Sequence, residues 1–496
     1  MGAILESVVQ WFGGDGALIM PMIQLAFFGL GILLTDFLLD RDHKWLNGLT
    51  AMFGVGLSAY SLWHLRAGML ENRIPELKGF AGTIAIDSFF IFFGLVFLVS
   101  AALVILLSAR YLDLEAEHHG EYYALMLFAT LGMMFMACGR DLVVLFIALE
   151  TMAVTFYVLA GFLRREKRSN EGALKYLLLG AFSSGLLAYG FSLLYGLSGS
   201  TDLGRITEAL ERAGPSHPLA LVALVTTTAG LLFKVAAVPF HQWAPDVYEG
   251  APTSITAFLS VGSKSASFAL LLRIFGTAFA PLLEQWQWPL AAVAVATMTW
   301  GNFAALTQTN LKRLLAYSSI AHAGYILLGL VAWNATGMKG IAFYIFAYAF
   351  MNTGAFAIVI MLRRKGLIGE EIEDLYGLYY RSPAAAVILL LFMLSLAGIP
   401  PTVGFIGKYF IFLALIEAKQ YALAVIAVLY VVPALYYYFR IVQAAWMRDS
   451  QDPVAPSVSA GQAAALAVTA FVTLYAGLFP QRFIELASSS ILSLTR

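Results

Sequence analysis

Residues 228–254 read TAGLLFKVAAVPFHQWAPDVYEGAPTS, and this stretch decides the fold. It opens as an apolar helix with Lys234 inside it. Five residues later Pro239 removes a backbone donor, which kinks or breaks a helix. His241, Trp243, Asp246, Tyr248 and Glu249 then crowd together before a new apolar run begins. A lysine in an apolar span is expensive and faces a cavity or a counter-charge. A broken helix at membrane depth is tolerated only where it lines protein or water. Together the two features point to an ion path inside a membrane protein.

The composition agrees. The chain has 496 residues, 60% hydrophobic and 12% charged, against about 25% charged in a soluble domain. Its mean hydropathy is +0.80. This is the signature of an all-α polytopic membrane protein. Zero net charge leaves no electrostatic footprint for nucleic acid. The single cysteine, Cys138, excludes an internal disulfide and a thiolate-held cluster. The seven histidines are scattered, without HExxH or CxxC, so no metal site is expected. No glycine-rich phosphate loop follows a strand. The N-terminus lacks a basic region and is not expected to be a cleaved signal.

Working outward, apolar runs of about 20 residues, long enough to span, recur at 17–39, 45–66, 87–110, 120–139, 141–163, 170–196, 217–240, 252–277, 284–307, 312–333, 336–362, 383–416, 420–446 and 461–481. That gives about fourteen transmembrane helices in a single membrane domain, 1–496. Span 383–416 contains Pro400 and Pro401 and reads as two half-helices. Spans seven and twelve are thus both broken, five spans apart, each with one lysine beside the break: Lys234 before Pro239, Lys408 after Pro401. An odd offset inverts one unit relative to the other, a known transporter device. The expected organisation is two inverted five-helix repeats, 120–277 and 284–446, with peripheral helices in 17–110 and at 461–481. Segment 67–86 reads as a loop with some extended structure, and 449–460 as a linker.

Loops after odd-numbered spans hold about fifteen Lys and Arg, including Arg41, Arg164 to Arg168, Lys312, Arg313 and Lys365. The other side holds about eleven, including Arg66 and Arg73. The positive-inside rule then puts the odd loops in the cytoplasm and both termini outside.

Four charges fall deep in spans. Glu150 lies about ten residues into the fifth, roughly 15 Å, near the middle of a 30 Å core. A carboxylate there needs a neighbouring ammonium to keep its charge, and Lys234 is the natural partner. Lys264, in SVGSKSASF, is set among serines and a glycine that suit a small wet cavity. Lys408, in GFIGKYF, follows the Pro400–Pro401 break. Lys175 sits nearer an end, where snorkelling competes. His241 and His322 can relay protons at working pH. Tyr317, Ser318 and Ser319, on the helix of His322, can bridge waters. Asp246 and Glu249 are read as serving the break, Arg140–Asp141 as an interfacial pair, and Tyr436 to Tyr438 as packing. A line of titratable groups on different helices can carry protons sideways between half-channels. Its alternative is a set of fixed pairs in a structural scaffold.

Three motifs carry a resemblance over essentially the whole length: FKVAAVPFHQWAPDVYEGAPT at 233–253, LKRLLAYSSIAHAGY at 311–325, and LFIALE ending at Glu150. With them the chain resembles the antiporter-like membrane subunits of respiratory complex I, the proton-pumping NADH:quinone oxidoreductase. The resemblance implies a proton path through Glu150, Lys234, Lys264 and Lys408, with Lys175, His241 and His322 as secondary members. On this resemblance the C-terminal lateral-helix extension of the longest such subunit is not expected here. The chain has Lys408 where the middle one typically has glutamate, so it is most similar to the subunit N (subunit 2) branch. The resemblance further implies no cofactor in this chain, with NADH, FMN, Fe–S clusters and quinone in other subunits. It implies sister antiporter-like and small membrane subunits and membrane lipids as partners. It also implies a bacterial inner-membrane location, or a plastid one, with both termini periplasmic in the bacterial case. The same resemblance leaves a second reading, a subunit of a multisubunit cation/proton antiporter.

Overall fold

The computed structural model describes residues 14–115, 117–364, 369–449 and 454–491. Lys365, linker positions 450–453, the chain ends and the Arg41 side chain lie outside the described residues. All fourteen apolar stretches fall on a helix or on two consecutive helices. Among the described residues, nine helices are long and apolar enough to cross a membrane. The protein is a multi-pass helical bundle.

In chain order the main helices are α1 (Met20–Asp36), α2 (Leu46–Glu71), α3 (Ser88–Glu115), α4 (His119–Cys138), α5 (Leu142–Ala160) and α6 (Lys167–Ser198). The expected break follows. α7 (Pro218–Lys234) stops, and α8 (Trp243–Gly250) resumes after eight residues. Then come α9 (Thr253–Gly276), α10 (Leu283–Ala305), α11 (Leu311–Ala332) and α12 (Ala335–Leu362). The second break separates α13 (Pro383–Ala397) from α14 (Val403–Glu417). α15 (Tyr421–Met447), α16 (Ala460–Leu478) and α17 (Gln481–Ile491) complete the bundle.

α9 is buried along its length, and α11 and α12 nearly so. These three form the centre, while much of α6, α15 and α16 faces outward. Small residues set the close approaches. A Cβ on Gly132 of α4 would fall 2.8 Å from backbone atoms of α5, and one on Gly301 of α10 would fall 2.5 Å from the Ala321 nitrogen of α11. Glycine at these points lets two backbones touch, the packing device of membrane helices.

The same local device occurs at the start of α5 and of α11. Asp141 caps α5 by accepting from the Val143 N–H at 2.8 Å, and its backbone bridges that of Asp202. Asn310 caps α11 by accepting from the Arg313 N–H at 3.0 Å, and its backbone bridges that of Glu371. Each cap satisfies a donor that a helix start leaves free.

The polar segment after α2 forms an antiparallel hairpin, β1 (Glu76–Gly79) with β2 (Ile84–Asp87), Glu76 opposite Asp87. The hairpin is pinned by an ion pair that the sequence does not reveal. Asp87 and Arg273 are completely buried and 2.7 Å apart. Arg273 also donates to the Ala137 carbonyl at 2.5 Å and lies 4.6 Å from the Phe89 ring centre. One guanidinium thus ties β2, the end of α9 and the end of α4. Removing one partner of a buried pair leaves an uncompensated charge, at about 3–5 kcal/mol. Asp87→Ala is therefore expected to lower the melting temperature of the purified complex strongly and to reduce assembly on native gels, whereas Lys78→Ala, whose side chain on the same hairpin is 64% exposed, has a much smaller effect.

Candidate functional site

The site begins where α7 ends. Pro239 cannot donate a hydrogen bond, and the chain leaves helical geometry at Ala236, whose φ is +58°. The indole N–H of Trp243 donates at 2.9 Å to the Phe233 carbonyl, which also accepts from the Ala236 N–H at 3.0 Å. The Thr297 hydroxyl accepts from the Val238 N–H at 3.0 Å. With the break stabilised in this way, Lys234 is the last residue of α7 and only 2% of its side chain is exposed.

Its partner is the one expected. Glu150 Oε1 lies 3.9 Å from Lys234 Nζ. Ser184 of α6 stands between them, donating to Glu150 at 2.5 Å and accepting from Lys234 at 3.5 Å. The ammonium also lies 5.9 Å from the Tyr157 ring centre. The pair sits at the edge of the bundle: 27% of the Glu150 side chain is exposed. Depth along the helix axis was legible in the sequence, but this lateral exposure was not.

Lys264 lies at the centre. A π-turn over Leu259–Ser263 precedes it, a feature that frequently marks functional positions. The Lys264 ammonium donates to the Ser319 carbonyl of α11 at 2.7 Å and to the Ser319 hydroxyl. One turn along α11, buried His322 has both ring nitrogens engaged, Nδ1 with the Tyr344 hydroxyl at 2.6 Å and Nε2 with that of Tyr438 at 3.0 Å. Tyr438 also bonds Ser318. Reading Tyr438 as packing alone is therefore corrected: its hydroxyl is part of a polar network. His322 is within electrostatic reach of both Lys264 and Lys408.

Lys408 completes the line. Its ammonium donates to the last carbonyls of α13, Leu396 at 3.1 Å and Ala397 at 2.8 Å, and lies 5.0 Å from the Tyr325 ring centre. Those carbonyls are free because the helix ends there. Gly398 makes the approach possible. Its φ is +85°, and a Cβ would fall 2.7 Å from the Lys408 side chain.

Two secondary candidates lie apart. The Lys175 side chain is 43% exposed and pairs with Asp246 and Glu171, each at 2.7 Å. Asp246 also binds Arg313 at 2.7 Å, and Arg313 binds Glu249 at 3.0 Å. This cluster clamps α8 between α6 and α11. His241 is buried and edge-on to Trp300 at 5.4 Å. Among the described residues, no group of three or more His, Cys, Asp or Glu could hold a metal ion.

A family model described as NADH:quinone oxidoreductase/Mrp antiporter matches residues 139–432. A relative from Solibacter usitatus called NADH-quinone oxidoreductase subunit N 2 is 53% identical, covering 95% of this chain and 97% of its own. The chain belongs to the NADH-quinone oxidoreductase subunit N family. Its members here include the NAD(P)H-quinone oxidoreductase subunit 2 of Synechococcus elongatus, 42% identical over 93% of this chain and 89% of its own. A chain of respiratory complex I from Thermus thermophilus with bound Aureothin superposes with a TM-score of 0.78 at 33% identity, covering 94% of this chain and 99% of that one. A chain of the Mrp complex from Dietzia sp. DQ12-45-1b superposes with a TM-score of 0.80, covering 95% and 97%, but at 21% identity shares the fold alone.

The bridging hydroxyl of Ser184 gives this subunit N family member a specific test. A hydrogen bond to a charged group contributes about 1.5–3 kcal/mol, so Ser184→Ala is expected to slow proton pumping by about tenfold or more, with Ser184→Thr much closer to wild type. Vesicle acidification on complexes of equal assembly checks both.

Proposed function

We propose that this chain is a proton-translocating membrane subunit of an NADH:quinone oxidoreductase, moving protons through Glu150, Lys234, Lys264 and Lys408. The observation that carries the proposal is the Glu150–Ser184–Lys234 contact at a broken helix. The ammonium is buried, and its carboxylate partner lies at the edge of the chain, within reach of a neighbouring subunit. A charge change in that neighbour moves or neutralises Glu150, which alters how firmly Lys234 holds its proton. The proton passes inward to Lys264, then by way of His322 and its tyrosines to Lys408, and leaves on the outer side. Moving one charge against 100 mV requires about 2.3 kcal/mol. That energy comes from NADH oxidation and quinone reduction in other subunits, which hold the NADH, FMN, Fe–S and quinone sites. This chain moves protons only.

The partners in this proposal are sister antiporter-like subunits, small membrane subunits and lipids of a bacterial inner membrane, crossed fourteen times with both termini periplasmic. Two inverted repeats, 120–277 and 284–446, underlie the path. Support comes from the matching caps: Glu150 lies nine residues after Asp141, and Ser319 lies nine residues after Asn310. The residue touching Lys234 and the residue touching Lys264 thus occupy equivalent positions in the two halves. Lys175 belongs to a supporting ion cluster, and His241 to the wall of the break. A cation/proton antiporter subunit remains the alternative function, and its support is the shared fold.

Replacing Lys234 by Ala in the assembled complex is expected to abolish most proton pumping and to depress NADH:quinone turnover with it. Normal pumping by that variant in reconstituted vesicles would sink the proposal. Sodium-dependent proton flux without NADH or quinone would favour the antiporter function instead.

A further inference from the structure

A second buried ion cluster lies at the end of the bundle that carries Lys312 and Arg363. Glu370, between α12 and α13, accepts from Lys312 Nζ at 2.9 Å and from the Thr253 hydroxyl at 3.2 Å. Arg363 Nη1 lies 3.7 Å away and also pairs with Glu115. Lys312 donates its remaining reach to the Ala251 carbonyl at 2.7 Å. The Glu370 side chain is 11% exposed, buried but not sealed.

From this cluster two helix faces run inward together. On α9, Thr253, Ser260 and Lys264 are seven and four residues apart, which places all three on one face. On α12, Arg363, Asn352 and Tyr348 are eleven and four apart, again one face. The two stripes join where the Asn352 amide donates to the Ser260 hydroxyl at 2.7 Å. They end at Lys264 and at Tyr348, whose ring centre is 5.2 Å from that of His322. Two buried polar atoms beside the column have no hydrogen-bond partner among the described residues: Asn352 Oδ1 and Thr353 Oγ1. Buried polar atoms of this kind are satisfied by internal water. The distance along α9 from Thr253 to Lys264 is about 16 Å.

We infer that Glu370 and Lys312 form the mouth of a proton-uptake channel that runs between α9 and α12 to Lys264. The inference rests on the proposed role of Lys264 as a proton carrier. A proton from water on the Lys312 side, the cytoplasmic side in this orientation, adds to the Glu370 carboxylate and gives a carboxylic acid. That acid releases a proton into the Thr253, Ser260 and Asn352 column. At the far end a proton adds to the neutral amine of Lys264 and gives an ammonium ion. Lys312 and Thr253 hold the Glu370 carboxyl at the mouth by hydrogen bonds. Asn352 positions the column at its narrowest polar contact.

The test uses the whole complex reconstituted in vesicles, with protons pumped per NADH oxidised as the readout and native gels as the assembly control. Glu370→Gln and Asn352→Leu are each expected to lower that ratio at least twofold. Glu370→Asp and Asn352→Asp keep a proton-carrying oxygen and are expected to stay near wild type. A wild-type ratio in both Glu370→Gln and Asn352→Leu would overturn the channel. So would equal losses in Asn352→Leu and Asn352→Asp, which would make Asn352 a packing residue. Lys264→Ala, run in parallel, separates the two levels. If it alone fails to pump, uptake enters elsewhere and the lysine line stands. If it too pumps normally, the proposed function fails with the channel.

Discussion

An ammonium ion in an apolar helical bundle must be offered oxygen atoms that are not already used, and a regular helix has none to spare. Every backbone carbonyl inside an α-helix is engaged four residues away. A buried charge without such partners is severely penalised. The architecture around the three lysines meets this constraint. Lys234 stands at the broken end of α7, beside the Ser184 hydroxyl. Lys408 points at the two carbonyls that end α13. Lys264 takes the Ser319 hydroxyl, a side-chain oxygen, and shares the Ser319 carbonyl with α11. The two helix breaks, Gly398 and the hydroxyls of Ser184 and Ser319 supply hydrogen-bonding capacity where positive charge has to reside.

That solution also makes the charges movable. Neither Lys264 nor Lys408 has a carboxylate within ion-pair distance among the described residues. Each is held by neutral oxygens, which stabilise an ammonium without locking it. Only Lys234 has a carboxylate, 3.9 Å away and set at the edge of the chain. Of the three lysines, Lys234 is thus the one whose counter-charge reaches the surface of the chain. His322, on the helix of Ser319, has both ring nitrogens bonded to tyrosine hydroxyls, those of Tyr344 and Tyr438. The tight ion pairs lie elsewhere, Asp87–Arg273 at one end of the bundle and Lys312–Glu370 at the other.

The four principal charges were legible in the sequence because a charge in an apolar run is too costly to persist without a partner or a cavity. The two breaks were legible because proline has one consequence in a helix. The partners of those charges were not. Ser184 and Ser319 look like the other hydroxyls that line membrane helices, and only tertiary packing selects them. Tyr438 sits in a run of three tyrosines, of which Tyr436 is largely exposed while Tyr438 reaches His322. Arg273 and Asp87 fall at span ends, where charges are normally solvated, and Lys312 was counted only as a flank of the positive side. Lys175 shows the converse. Its position near a span end left snorkelling open, and a long side chain and Asp246 do draw it into a partly exposed cluster.

The central claim is that the inner lysines act by gaining and losing protons, not by filling space with positive charge. The most direct measurement is proton pumping by vesicles carrying Lys264→Arg, compared with wild type at equal complex assembly and equal thermal stability. Arginine keeps the positive charge and its hydrogen bonds but does not deprotonate in proteins. The account predicts a stable complex in which pumping is almost lost. Pumping at the wild-type rate with arginine at 264 would show that a fixed charge suffices there, and would contradict it.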